Sequence, residues 1–143
     1  MSPMHNAPTR IMLVVEPDGV TRSTIAAVVR ELDLAQVHQA SSISLGTQML
    51  MDLAVDALVL SLADNDAALD LLIRLRAGEF PSKAGIPVVV MAKACDGALA
   101  LRLKELAVSR LLLSPFRIRD VVQTLEALVP ESSPAVEAVL ALA

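Results

Sequence analysis

Asp56–Arg76, DALVLSLADNDAALDLLIRLR, is the stretch on which the reading of the whole chain turns. It opens with the continuous apolar run ALVLS, crosses a short polar loop, and continues as a helix expected over Ala67–Ala77 with Gly78 ending it. A short apolar run without polar alternation suits a strand covered on both faces. Strand, loop and helix in that order are the repeating unit of a parallel sheet. Ser61 closes the strand, at the end where such sheets keep their functional crevice.

Outward from this stretch the same unit recurs. IMLVV (Ile11–Val15) reads as a buried strand and is followed by the turn EPDG. Ile25, Val28, Val29 and Leu32 then share one helix face. QVHQA (Gln36–Ala40) is a short second strand, in which His38 is a partly buried structural residue. SSISLGTQMLMDLA is a weaker helix, with Ser42 as its cap and Gly46 as a cost. After the polar loop EFPSKAG, IPVVVMA (Ile86–Ala92) is a fourth strand. Asp96 caps a helix carrying Leu99, Leu103 and Leu106, RLLLS (Arg110–Ser114) is a fifth strand, and Ile118, Val121, Val122 and Leu125 mark the face of a last helix.

The expected fold is therefore α/β, a doubly wound five-stranded parallel sheet flanked by five helices, over residues 10–129. Residues 1–9, interrupted by Pro3 and Pro8, read as a flexible leader. In the tail, 130–143, Ser133 and Pro134 form a helix-start signal. Val136, Val139, Leu140 and Ala143 follow on one face, giving a short extra helix or the start of a linker.

Composition narrows the function classes. The chain has 143 residues, enough for one domain. Hydrophobic residues make up 55%, yet no run reaches membrane-spanning length, and MSPMHNAPTR has no apolar central region of the kind a signal peptide needs. A soluble cytoplasmic protein without membrane insertion is the plain expectation. Phe80 and Phe116 are the only aromatic residues, so no stacking platform for bases exists. A net charge of −4 argues further against nucleic acid. The lone Cys95 reads as structural, and His5 and His38 are far apart, so neither a metal site nor a cofactor is expected.

With these landmarks in order, the chain resembles the receiver domains of bacterial two-component response regulators, flavodoxin-like in fold. LVVEPDGVTR resembles their first strand and acidic turn, with Arg22 on the helix after it. The opening stretch resembles their third strand, loop and helix, with a loop one residue shorter. GIPVVVMAKA resembles the fourth strand with its preceding proline, and AVSRLLLSPF the fifth with its proline–phenylalanine ending. The resemblance implies a cis Ser114–Pro115 bond. It also implies a site in which an acidic pair and an acceptor aspartate hold Mg²⁺, while a hydroxyl and a lysine bind the phosphoryl group.

Residue by residue, that site is degenerate here. The acidic pair falls on Glu16 and Pro17, the acceptor on Ser61, the hydroxyl on Ala92, the lysine on Ser114, and the aromatic switch of the fifth strand on Leu111. No base is placed to make Ser61 a nucleophile. Asp64 and Asp66 could act as substitute acceptors, but helix capping and interaction with the helix dipole are the favoured reading of both. Glu16 with Asp18 could hold a cation only feebly without a third carboxylate; the alternative is a turn in which Asp18 caps the first helix. Lys93 is read as solvated.

Three functional readings follow. The first is a phosphorylation-independent pseudo-receiver, not an enzyme, that binds another signalling protein or its own copy. The resemblance places partner contacts on the fourth helix, fifth strand and fifth helix, with Arg102, Lys104, Arg110, Leu111, Arg117 and Arg119; Val136, Val139 and Leu140 of the tail are added on their helical spacing. The second is a sensor of a small phosphate-bearing ligand such as a cyclic dinucleotide. The third and least favoured is an active phosphoacceptor using Asp64 or Asp66.

Overall fold

The computed structural model describes residues 10–128, so the leader and the tail helix with Val136, Val139 and Leu140 lie outside the described residues. Strands and helices alternate through them: β1 Ile11–Val15, α1 Gly19–Glu31, β2 Gln36–Ala40, α2 Ile43–Asp52, β3 Ala57–Ser61, α3 Asn65–Arg76, β4 Val88–Ala92, α4 Gly97–Glu105, β5 Arg110–Leu113 and α5 Ile118–Leu128. The strands form one sheet of order β2-β1-β3-β4-β5, parallel throughout. The order reverses at β1, which puts β1 and β3 side by side at the switch point.

Burial on both faces explains the continuous apolar strands. Met12, Val14, Val59, Val89 and Met91 face α1 and α5, packing with Ile25, Val29, Val122 and Leu125. Their alternates Leu13, Val15, Leu58, Leu60, Val88 and Val90 face the other layer, with Leu50, Leu71, Leu72, Leu75 and Leu103 from α2, α3 and α4. The strand residues named here are at most 3% exposed, so the three central strands β1, β3 and β4 are apolar on both sides of their pleat.

Several boundaries depart from the sequence reading. α3 begins at Asn65, two residues ahead of the expected start, because Asp64 caps it and accepts a hydrogen bond from the Ala67 N–H at 3.2 Å. Ile118 does not join the buried face of α5. It stands at the first helical position, just past the turn that leaves β5, and is 54% exposed; Val121, Val122, Leu125 and Leu128 make the face. The loop EFPSKAG is anchored rather than purely polar: Phe80 and Ser82 are buried, and the Ser82 hydroxyl accepts from the Val55 N–H at 2.9 Å.

Gly46 proves to be a packing requirement as well as a propensity cost. It is buried in α2, and a Cβ there would stand 2.7 Å from Val15 Cγ2 and 3.3 Å from Val15 Cγ1. α2 thus rests directly on the last residue of β1.

At the opposite end of the sheet, Arg76 holds three segments together without a carboxylate. Its Nε donates to the Leu106 carbonyl at 2.8 Å and its Nη2 to the Ala107 carbonyl at 3.1 Å. Its Nη1 donates to Ala84 and Ile86 carbonyls at 2.6 and 2.7 Å. Ala107 has φ +56° and its N–H bonds back to the Lys104 carbonyl, so α4 ends in a left-handed turn that leaves its last carbonyls to this cation. Burial lowers the pKa of Arg76, yet a guanidinium in a protein stays charged.

Two stability outcomes follow, both read by urea unfolding under far-ultraviolet circular dichroism. Gly46→Ala is expected to destabilise by about 1–2 kcal/mol, overpacking against β-branched Val15 outweighing a propensity gain of about 1 kcal/mol. Adding Val15→Ala should recover part of that loss, a coupling absent if the two side chains do not meet. Arg76→Met is expected to cost about 2–3 kcal/mol, several charge-assisted bonds discounted for partial exposure, with Arg76→Lys restoring less than half.

Candidate functional site

The carboxyl ends of β1, β3, β4 and β5 frame a cleft of about 600 Å³, and the degenerate positions Glu16, Pro17, Ser61, Ala92 and Ser114 all line it. A second cleft of about 590 Å³ adjoins it toward the start of α2, lined by Ile43, Ala67 and the serines 41, 42 and 44. The two share Pro17, Ser61 and Ala63. A cleft at the carboxyl ends beside the switch point is where doubly wound sheets bind their ligands.

Glu16 follows β1 directly and is 8% exposed. Its N–H continues the sheet pairing to the Ala40 carbonyl at 3.0 Å. Its carbonyl accepts from Arg22 Nη1 at 2.7 Å, which fixes the turn from the first helical layer. Of its carboxylate oxygens, Oε2 accepts from the Asp18 N–H at 3.0 Å, while Oε1 has no partner among the described residues. Lys93, exposed at the rim of the cleft, makes no ion pair with it.

Asp18 is committed elsewhere. It caps α1, accepting from the Thr21 N–H at 2.8 Å. Hydrogen bonding from the Thr21 side chain and then its backbone N–H, with the Arg22 charge beside it, holds its carboxyl below the ordinary value. Asp64 caps α3 in the same way, and Asp66 is an exposed residue of that helix's first turn. Asp64 is the cap that the sequence reading expects, whereas Asp66 caps nothing and sits in the first turn, where a carboxylate is favourable to the helix dipole.

Ser61 ends β3 with 8% exposure, and its Oγ accepts from the Ala63 N–H at 3.2 Å. Ala92, half-buried, ends β4. Ser114 is exposed, its N–H donating to the Ala92 carbonyl at 2.8 Å, and the Ser114–Pro115 bond is cis. The donor set does not suit Mg²⁺: one buried carboxylate faces the cleft where a hard dication wants several oxygens. Among the described residues no group of three or more His, Cys, Asp or Glu side chains could hold a metal ion. None of their helices is long and apolar enough to cross a membrane.

The cations expected at a partner surface do not form one compact patch. Lys104 near the end of α4 and Arg110 at the start of β5 belong to the amino end of the sheet. Arg117 and Arg119 follow β5 at its carboxyl end, and Arg102 pairs with Glu105 at 3.8 Å on its own helix. The same elements also carry exposed apolar residues: Leu101, Leu113 and Ile118 are 60%, 49% and 54% exposed, and Leu111 is half-buried. Leu101 was findable, because it sits off the Leu99, Leu103, Leu106 face of α4. Cys95 is a half-buried free thiol, and His38 is half-buried on edge strand β2.

Asp18→Ala is expected to lower the melting temperature at neutral pH. The folded pKa of Asp18 lies below its unfolded value, so its stabilisation is complete above about pH 4 and is lost as pH falls through the folded value. The parent and the variant should therefore converge in acid, and a gap that persists there would contradict the capping role.

No protein-family model matches the chain, and no curated protein is similar to it in sequence. Solved structures share its fold. A response regulator from Thermotoga maritima superposes with TM-score 0.72 at 20% identity, covering 86% of this chain and 99% of that one. The non-phosphorylated HemR receiver domain from Leptospira biflexa superposes with TM-score 0.74 at 23% identity, covering 88% and 98%. A response regulator receiver protein from Burkholderia phymatum gives TM-score 0.70 at 18% identity over 88% and 99%. With five parallel strands in the order found here and five flanking helices, the chain has the flavodoxin-like fold of the response-regulator receiver domains.

Proposed function

We propose that this chain is a phosphorylation-independent receiver-type domain that serves bacterial two-component-type signalling as a protein-interaction module. The observation that carries the reading is the buried hydroxyl of Ser61 at the end of β3, where the receiver pattern needs a carboxylate to form an acyl phosphate. The neighbouring positions agree with it. Pro17 brings no second metal ligand, Ala92 no hydroxyl and Ser114 no cation, and Asp64 is tied to the start of α3.

The partner surface in this reading is the α4–β5–α5 edge. The exposed apolar residues Leu101, Leu113 and Ile118 and half-buried Leu111, on elements that also carry Lys104, Arg110, Arg117 and Arg119, would suit an acidic amphipathic segment of another signalling protein or a second copy. Apolar contacts would supply affinity, and the cations would set orientation and association rate.

The test has two arms. Amide NMR of the isotope-labelled chain with Mg²⁺ and beryllofluoride, a mimic of the aspartyl phosphate, should leave Glu16, Ser61 and Asp64 unmoved; saturable shifts there would overturn the silent-site reading. In its own organism, Ser61→Ala should leave the signalling output intact, while Leu111→Ala combined with Arg117→Ala and Arg119→Ala should abolish it at unchanged protein level. The opposite pattern would place the function in the crevice.

A further inference from the structure

We infer that the crevice at the switch point is a binding site for a small organic cation, an ammonium or amidinium group carried on a short apolar body. This goes beyond the interaction role proposed above and does not depend on it.

The inference rests on what the substitutions left behind. Glu16 is nine-tenths buried and opens on the cleft, yet only Oε2 has a partner, the Asp18 N–H at 3.0 Å. A mostly buried carboxylate with an oxygen that no protein group fills leaves room for a ligand that brings a donor. A charged N–H donor satisfies it most strongly. Lys93 does not fill the role, having no ion pair with Glu16 among the described residues. The other acidic residues near the two clefts, Asp18 and Asp64, spend an oxygen on a helix cap, and Asp64 faces the second cleft only.

The rest of the cleft sets the kind of cation. Mg²⁺ would need further oxygens that Pro17 and Ala92 do not offer. A phosphate-bearing ligand would meet the Glu16 carboxylate in the cleft, where Ser114 supplies no positive charge and the one lining cation is the exposed Lys93. Pro17 and Ala63, shared by both clefts, join the carboxylate to the adjoining space around Ile43, which is mainly apolar. The Ser61 hydroxyl, buried between the two, accepts from Ala63 N–H and has its proton left to donate. One charged donor, one acceptor and an apolar tail are what this surface complements.

The first probe is hexylammonium chloride titrated into the labelled full chain and followed by amide NMR. Saturable shifts at Glu16, Ser61, Ala63 and Ala92 are expected, with affinity rising from ethyl- to hexylammonium. Neutral 1-hexanol should bind at least tenfold more weakly, and inorganic phosphate or Mg²⁺ alone should not move the same amides. Glu16→Gln, nearly isosteric, should weaken hexylammonium at least tenfold, and Lys93→Ala should change it less than twofold. Equal binding of 1-hexanol, phosphate or Mg²⁺ at these amides, no effect of Glu16→Gln, or binding seen only in Lys93→Ala would each overturn the inference. The chain-length series needs no variant, so a misfolded Glu16→Gln leaves the test intact.

Discussion

The double-sided burial of β1 and β3 is the constraint from which the remaining architecture follows. Leu13, Val15, Leu58 and Leu60 pack on one layer while Met12, Val14 and Val59 pack on the other. A strand in that position has no solvent face, so its register cannot slip without exposing large side chains. Both strands must then end at the same level, because Val15 pairs with Leu60 in the ladder. Glu16 and Ser61 are the next polar positions on each strand and are delivered to the same crevice by that pairing. Gly46 tightens the arrangement, since α2 reaches Val15 only where it has no side chain.

How much of this is legible in the sequence depends on whether the signal is local. The strand runs, the helix faces and the caps Asp18, Ser42 and Asp96 are written in adjacent residues, and the structure has them. The cis Ser114–Pro115 bond was legible only through resemblance. What escaped is non-local. Arg76 reads as an ordinary cation at a helix end, and only the approach of residues 84, 86, 106 and 107 turns its guanidinium into a hub for carbonyls. Gly46 reads as a weak helix former until Val15 is seen against it. Ile118 has the right spacing for the buried face but stands at the helix start, beyond the part of α5 laid on the sheet.

The candidate site divides in the same way. Which residues gather there was legible, because the carboxyl ends of parallel strands converge whatever they carry. Glu16, Pro17, Ser61, Ala92 and Ser114 line one cleft. Which oxygens are satisfied was not legible. The caps Asp18 and Asp64 follow from their places before α1 and α3, but that Glu16 spends Oε2 on the Asp18 N–H and leaves Oε1 without a partner among the described residues depends on side-chain geometry that spacing does not encode. The edge face shows the converse. The cations were visible in sequence, but their distribution to the two ends of β5, with apolar residues between them, emerges only from the direction of the strand and its helices.

The two regions need not compete, because different physical terms maintain them. Leu101, Leu113 and Ile118 on α4, β5 and α5 are exposed to solvent, which folding does not require and association would reward. The crevice buries a carboxylate with one oxygen open, which folding does not reward and a bound donor would offset. Neither feature stabilises the isolated domain, and both persist beside a core whose strands are packed to near-zero exposure. Local departures from what stability favours are the places to test for function. In this chain they lie at the carboxyl ends of the strands and along the β5 edge.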